Sequence, residues 1–363
     1  MDQDLLTTAA RLAEDVFRGR AASVDTGGPN GPIRENLRLL ADRGFLGLGV
    51  DAAHGGRGAD RATQHEYTEI LGSACGVTAF TQQQLRTGVK YLASGENEEL
   101  KDRLLPELAA GRKLCGVAIS HLRRTGVPPL QARAVSGGFR ITGAIPWVTA
   151  WSLLDGFVLG AALDGGERHV FTHVDRAESA SALLASPPMS LAAMHASGTV
   201  SVEVCDLFVP DENVIGIRPR EDCARTDENE ITLHAALPLG CARGCERLLR
   251  ERAREQGRED FESAANALMF EIHDCRRHAL TWDCDCIAHP DYTRHALRAR
   301  AGAIILALRA AHAVVTASGG GAQRADSLPQ RMMREAQFYT NAVQTPDVQK
   351  AVLDQLFSPL FGL

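Results

Sequence analysis

Thr142-Gly-Ala-Ile-Pro-Trp-Val-Thr149, continuing through Trp151 and Asp155 to Gly156-Phe-Val-Leu-Gly-Ala161, sets a tryptophan and a hydroxyl two residues apart at the end of a strand. Upstream, after the turn Ser136-Gly-Gly138, Phe139 and Ile141 alternate with Arg140 and Thr142, which is the two-residue period of a strand. Val200, Val202 and Val204 alternate with Ser201, Glu203 and Cys205 in the same way. A β domain over 113–216 is the economical reading.

On both sides the pattern turns helical. From Asp4 to about Arg20 the residues Leu5, Leu6, Ala9, Leu12, Ala13, Val16 and Phe17 share one face of a 3.6-residue period. A Gly/Pro-rich break at 26–32 precedes a second helix, and further helical stretches follow near 61–72, 80–93 and 96–110. Beyond Glu230, Leu237, Cys241, Cys245, Leu248 and Leu249 share a face. Ala296 to Ala317 reads as an alanine-rich helix of roughly 30 Å. Gly319-Gly-Gly321 breaks it before two last helices near 329–341 and 346–357. The expectation is an α+β chain of three parts: a helical domain over 1–112, a barrel-like β domain over 113–216, and a helical bundle over 217–363.

At 363 residues and 45% hydrophobic composition the chain can bury a large core. A net charge of −6 and the lack of a dense Lys/Arg tract argue against a nucleic-acid partner. No uninterrupted apolar run approaches the roughly 20 residues that span a bilayer, so no membrane partner is expected and the cytoplasm is the default location. Nine scattered cysteines read as reduced thiols, and neither Cys284/Cys286 nor Cys241/Cys245 has metal-knuckle spacing, so no metal site is expected.

This order of parts, with its local motifs, resembles the acyl-CoA dehydrogenase family of flavoproteins over nearly the whole chain. Gly44-Phe-Leu-Gly-Leu-Gly-Val50 and His54-Gly-Gly-Arg-Gly58 are similar to its N-terminal glycine turn. Gly143 to Thr149 resembles its G-x-K-x-W-I-T motif, with Ile145 in place of the lysine. Met194-His-Ala-Ser-Gly-Thr199 through Asn213-Val-Ile-Gly216 resembles its G-M-R-x-S-x-T block and the strand after it. Ser318-Gly-Gly320 and Gln330-Arg-Met-Met-Arg-Glu-Ala336 resemble its glycine pair and arginine helix.

The resemblance implies FAD as cofactor, with Trp147 beside the flavin ring and Val148, Thr149 and Ser120 hydrogen-bonding its polar edge; on the residues alone these are a core tryptophan and a strand-end threonine. It nominates Gly319, Gly320, Thr345 and Asp347 for other parts of the cofactor, and it gives Glu335 structural duty. It also implies an acyl-CoA or acyl-carrier-protein substrate, an electron-transfer flavoprotein as acceptor, and a homodimer or homotetramer assembled through the C-terminal helices, with Ala296 to Ala317 as the candidate face.

Three departures stand out. The family's T-E-P-x-A-G-S-D loop is replaced by Ser120-His-Leu-Arg-Arg-Thr-Gly-Val-Pro-Pro129, which offers Arg123 and Arg124 to anionic groups. Its R-x-x-F-G segment has no counterpart in Arg252 to Phe261. Its Y-E-G-T-x-x-I-Q run appears as Ala342-Val-Gln-Thr-Pro-Asp-Val-Gln349, so Val343 stands where the proton-abstracting glutamate belongs, and a valine cannot accept a proton. Some relatives carry the base on another helix, which nominates Glu230. On the residues alone Glu230 reads first as a solvated acidic helix start. His195 takes the place of the family's arginine and reads as a strand-end structural residue.

The leading expectation is α,β-dehydrogenation of an acyl thioester with hydride transfer to flavin. The alternatives are a flavin-dependent monooxygenase of the same fold, which needs no α-proton base, and a catalytically degenerate, flavin-poor paralogue.

Overall fold

A computed structural model describes residues 2–357 apart from Thr125 and Val127, and apart from the side chain of Cys284. The N-terminal part holds α1 (Gln3–Leu12), a π-type turn over Ala13–Phe17, α2 (Arg18–Thr26), α3 (Pro32–Ala41), α4 (Arg61–Ala74), α5 (Gly76–Ala93) and α6 (Glu98–Ala109). Side-chain caps mark where three of these helices begin. Asp2, Asp60 and Asn97 each accept a hydrogen bond from the backbone N–H three residues on, satisfying an orphan donor of the first turn.

The strands are β1 (Cys115–Ala118), β2 (Leu130–Val135), β3 (Gly138–Val148), β4 (Gly156–Leu163), β5 (Arg168–Asp175), β6 (Leu183–Ala185), β7 (Val200–Pro210) and β8 (Val214–Pro219). They form one sheet in the order β6-β7-β3-β2-β4-β5-β8, with β1 added in parallel to β4. The alternation seen in sequence is the register: Ile141, Ile145, Val202 and Val204 are buried, while their neighbours on the strand face outward. β8 runs to Pro219, past the expected limit at 216.

The chain then returns to helices: α7 (Arg220–Asn229), α8 (Ala236–Gln256), α9 (Glu259–Thr281), α10 (Tyr292–Ser318), α11 (Leu328–Phe338) and α12 (Pro346–Leu356). By length and composition α10 could cross a membrane, yet it packs against α8, α9, α11 and α12 and buries Ala296, Ala303, Ile304, Ala307, Ala311 and Val314. The apolar run nominated for subunit contact therefore builds the core of this chain's own bundle.

Two contacts bring the three parts together at the site. α5 lies against β1 at Gly88, where a Cβ would sit 2.4 Å from the Gly116 carbonyl oxygen, so only glycine permits the approach. α4 packs along α8 through Gly72 and Gly240, the Cβ position of Gly240 lying 2.9 Å from the Gly72 Cα.

Candidate functional site

A cavity of about 630 Å³ opens where α5, the ends of β1 and β3, the α7–α8 link and α11 converge. Ser120 follows β1 in a short helical turn, and its Oγ is buried without a hydrogen-bond partner. An unmet buried hydroxyl costs on the order of 1–3 kcal/mol, so it marks a position that a polar ligand atom can satisfy. Period two at the end of β3 sends Val148 into the core and leaves Trp147 45% exposed on the cavity wall. Thr149 closes the strand with its Oγ1 3.1 Å from Thr199 Oγ1, which lies 2.9 Å from Ser197 Oγ. These three hydroxyls form a buried relay that fixes the orientation of Thr149.

Glu230 lines the same cavity. It sits at the C-terminal end of α7 and not at a helix start, so it is no solvated N-terminal acid. Arg61 Nη1 and Lys90 Nζ meet its Oε1 at 2.8 and 2.5 Å, and its side chain is only 15% exposed. Asp283 braces Arg61 from the other side with two hydrogen bonds of 2.9 and 2.8 Å. One Glu230 oxygen is thus anchored, and the other, Oε2, meets no protein partner among the described hydrogen bonds.

Two neighbouring histidines are neutral near pH 7. Burial pushes His121 down to about 4, and its Nε2 lies 2.8 Å from the Gly160 carbonyl, pinning the loop after β1. Burial, and after it the charge of Arg300, holds His234 well below its usual range, and its Nδ1 faces the Gln83 amide at 3.3 Å.

Arg123 does not serve the anionic role that its sequence position suggested. Its guanidinium donates twice to the Asp227 carboxylate, at 2.6 Å each, and is spent on that pair. Arg124 is exposed at the cavity wall.

The remaining nominees lie elsewhere. Thr345 caps α12 by accepting from Val348 N–H at 3.3 Å, and Asp347 is exposed in that helix's first turn. Both line a second cavity of about 740 Å³, which shares Tyr91, Ile119 and the Arg123–Asp227 pair with the first. Gly319 and Gly320 form the exposed end of α10 and line neither cavity. His195 is exposed, with Nδ1 3.2 Å from the Met189 carbonyl. Glu335 is buried, accepting from Gly76 N–H and Arg331, in a structural position. Among the described residues no cluster could hold a metal ion.

Val343 also borders the cavity, and its φ of 49° lies in the left-handed region. For a β-branched residue that conformation costs roughly 1–2 kcal/mol. Asparagine tolerates it, so Val343→Asn is expected to raise the melting temperature by about 1–3 °C. A lower melting temperature in a calorimetric scan would show that packing of the valine outweighs its backbone strain.

Residues 2–112 match the family model described as acyl-CoA dehydrogenase, N-terminal domain. The short-chain-specific acyl-CoA dehydrogenase of Clostridium acetobutylicum is 26% identical over 97% of this chain and 97% of its own. The Bacillus subtilis probable acyl-CoA dehydrogenase YngJ is 23% identical over 88% of each. The butyryl-CoA dehydrogenase structure from Megasphaera elsdenii superposes with a TM-score of 0.82 at 17% identity, covering 99% of both chains. The N-terminal part thus matches the acyl-CoA dehydrogenase N-terminal domain, and the whole chain has the fold of the acyl-CoA dehydrogenases. The cavity suits a flat heteroaromatic ring: Trp147 offers an aromatic face, and Ser120 and Thr149 offer hydroxyls to a polar edge.

Proposed function

We propose that this acyl-CoA dehydrogenase homologue desaturates an acyl thioester between its α and β carbons, with FAD as cofactor and an electron-transfer flavoprotein as final acceptor. FAD, when bound, supplies the acceptor for the β-hydride. Trp147 would flank its ring, and Ser120, Thr149 and the backbone at Val148 would hold the polar edge. Glu230 Oε2 takes the α-proton, and the electron pair left behind becomes the new C=C bond as the hydride departs. Arg61 and Lys90 hold the Glu230 carboxylate in place. The thioester carbonyl acidifies the α-carbon.

What carries this reading is the meeting of an unsatisfied Ser120 hydroxyl, Trp147 and Thr149 in one cavity with a carboxylate, Glu230. The valine at position 343 removes the usual base and leaves Glu230 in that role. The partner and assembly readings, a carrier-protein or CoA thioester as substrate and a homodimer or homotetramer as the working form, follow from the family.

The test is a visible absorbance spectrum of purified protein, before and after loading with excess FAD and removing the unbound fraction. Retained flavin is expected, and Ser120→Ala with Thr149→Ala is expected to weaken retention roughly tenfold, the equivalent of about 1.4 kcal/mol for two lost hydrogen bonds. A protein that stays colourless at every FAD concentration sinks the proposal in favour of a flavin-poor chain.

A further inference from the structure

The cavity has two chemically different sides. The strand side carries Ser120, Trp147 and Thr149, which suit the ring. The helical side is left for the acyl group, and it sets polar side chains among its apolar ones. α5 presents Phe80, Gln84, Thr87 and Tyr91 at the spacing of one helix face, and α11 with the turn after it adds Gln337 and Asn341. Between these polar groups stand Tyr91, Ala342, Val343 and the pair Phe80 and Phe338, which pack edge to face at 4.7 Å.

The amide groups on this side are uncommitted. The side chains of Gln84, Gln337 and Asn341 take part in no described hydrogen bond with the protein. Thr87 donates its hydroxyl proton to the Gln83 carbonyl at 2.9 Å and keeps its lone pairs. The Gln83 amide occupies Nδ1 of His234, which places the ring proton on Nε2 as a donor. The charges nearby are already paired: Lys90 and Arg61 with Glu230, Arg123 with Asp227, and Arg334 with Asp25. Arg124 and Arg218, which no described ion pair engages, stand on the strand side, so what the helical side offers is neutral donors and acceptors.

We propose that the acyl group taken by this cavity carries a neutral hydrogen-bonding function, a hydroxyl or an amide, at the γ-carbon or beyond, recognised by Gln84, Gln337 and Asn341. This rests on the dehydrogenase reading for the placement of ring and acyl group. A plain alkyl chain would shield the half-buried Gln84 amide from water without giving it a partner, and it would engage neither Gln337 nor Asn341 at the exposed edge.

The experiment compares isosteric CoA thioesters on the FAD-loaded protein: 4-hydroxybutyryl against pentanoyl, and 6-hydroxyhexanoyl against heptanoyl. Affinity is read by calorimetric titration, and desaturation separately by bleaching of the flavin under anaerobic conditions. The hydroxylated member is expected to bind roughly tenfold or more tightly in at least one pair. Asn341→Leu, a substitution at an exposed position, is expected to shrink that preference with the fold intact by thermal melt. Equal or tighter binding of the alkyl member in both pairs overturns the proposal, and so does a failure of every thioester to bind. Preferential binding of the hydroxylated members without any bleaching leaves the specificity assignment standing and defeats the dehydrogenase reading instead.

Discussion

Glu230→Gln is expected to slow reduction of the bound flavin by an acyl thioester by roughly 10²–10⁴-fold, the usual contribution of a positioned general base. Glutamine has nearly the shape of the carboxylate and can still accept from Arg61 through its amide oxygen. What it loses is the ability to take a proton at the free Oε2 position. Flavin retention should be unchanged, because Glu230 lies across the cavity from Ser120 and Thr149 in the proposed arrangement. Thioester affinity should change little, so the loss appears in the rate constant of reduction and not in binding.

A companion variant separates a true base from a merely structural acid. Val343→Glu puts a carboxylate on the cavity wall at the family's usual position, and adding it to Glu230→Gln is expected to recover part of the lost rate. Unchanged flavin reduction in Glu230→Gln would remove Glu230 from the mechanism. Rapid-mixing spectroscopy on the single and double variants decides the matter.

Much of the scaffold was legible because it is written in local periodicity. The helices near 61–72, 96–110, 296–317 and 346–357 appear as α4, α6, α10 and α12, within a few residues at either end. The strand pattern around Trp147 and around Val202 is likewise local, and the buried Val148 between two cavity-facing neighbours follows from period two. The site was only half legible, since its decisive contacts join residues far apart in sequence. Arg123 looked free for a phosphate because its partner Asp227 lies 104 positions away. Glu230 looked like a solvated acid because Arg61 and Lys90 arrive from other helices, 169 and 140 positions distant. Ser197 and Thr199 were visible within a motif, but their relay to Thr149 depends on the pairing of β3 with β7. The amide-bearing face of α5 had a detectable signal, in the spacing of Phe80, Gln84, Thr87 and Tyr91. What that face looks upon is a tertiary fact.

Glu69→Ala is expected to be the most destabilising of these substitutions, by about 3 kcal/mol, the lower end of the range for breaking a buried ion pair. Glu69 on α4 has a fully buried side chain and joins the N-terminal helices to the C-terminal bundle. Arg276 of α9 donates to both its oxygens, at 2.8 and 2.9 Å from Nε, while Arg243 of α8 approaches Oε2 at 3.4 Å and His65 lies 3.1 Å from Oε1. Arg276 and Arg243 retain some solvent contact, which is why the lower end applies. Burial alone would raise the Glu69 carboxyl, but His65 and Arg276 more than reverse that and bring it from an ordinary 4.5 to about 2. A carboxyl depressed on folding stabilises the native state fully above its unfolded value and loses that contribution as pH falls toward its folded value. The stability gap between the parent protein and Glu69→Gln should therefore be constant above about pH 5 and narrow progressively as pH falls through 4.5 toward 2. Urea unfolding across that range measures it, and a gap that ignores pH would mean that Glu69 acts through packing and not through its charge.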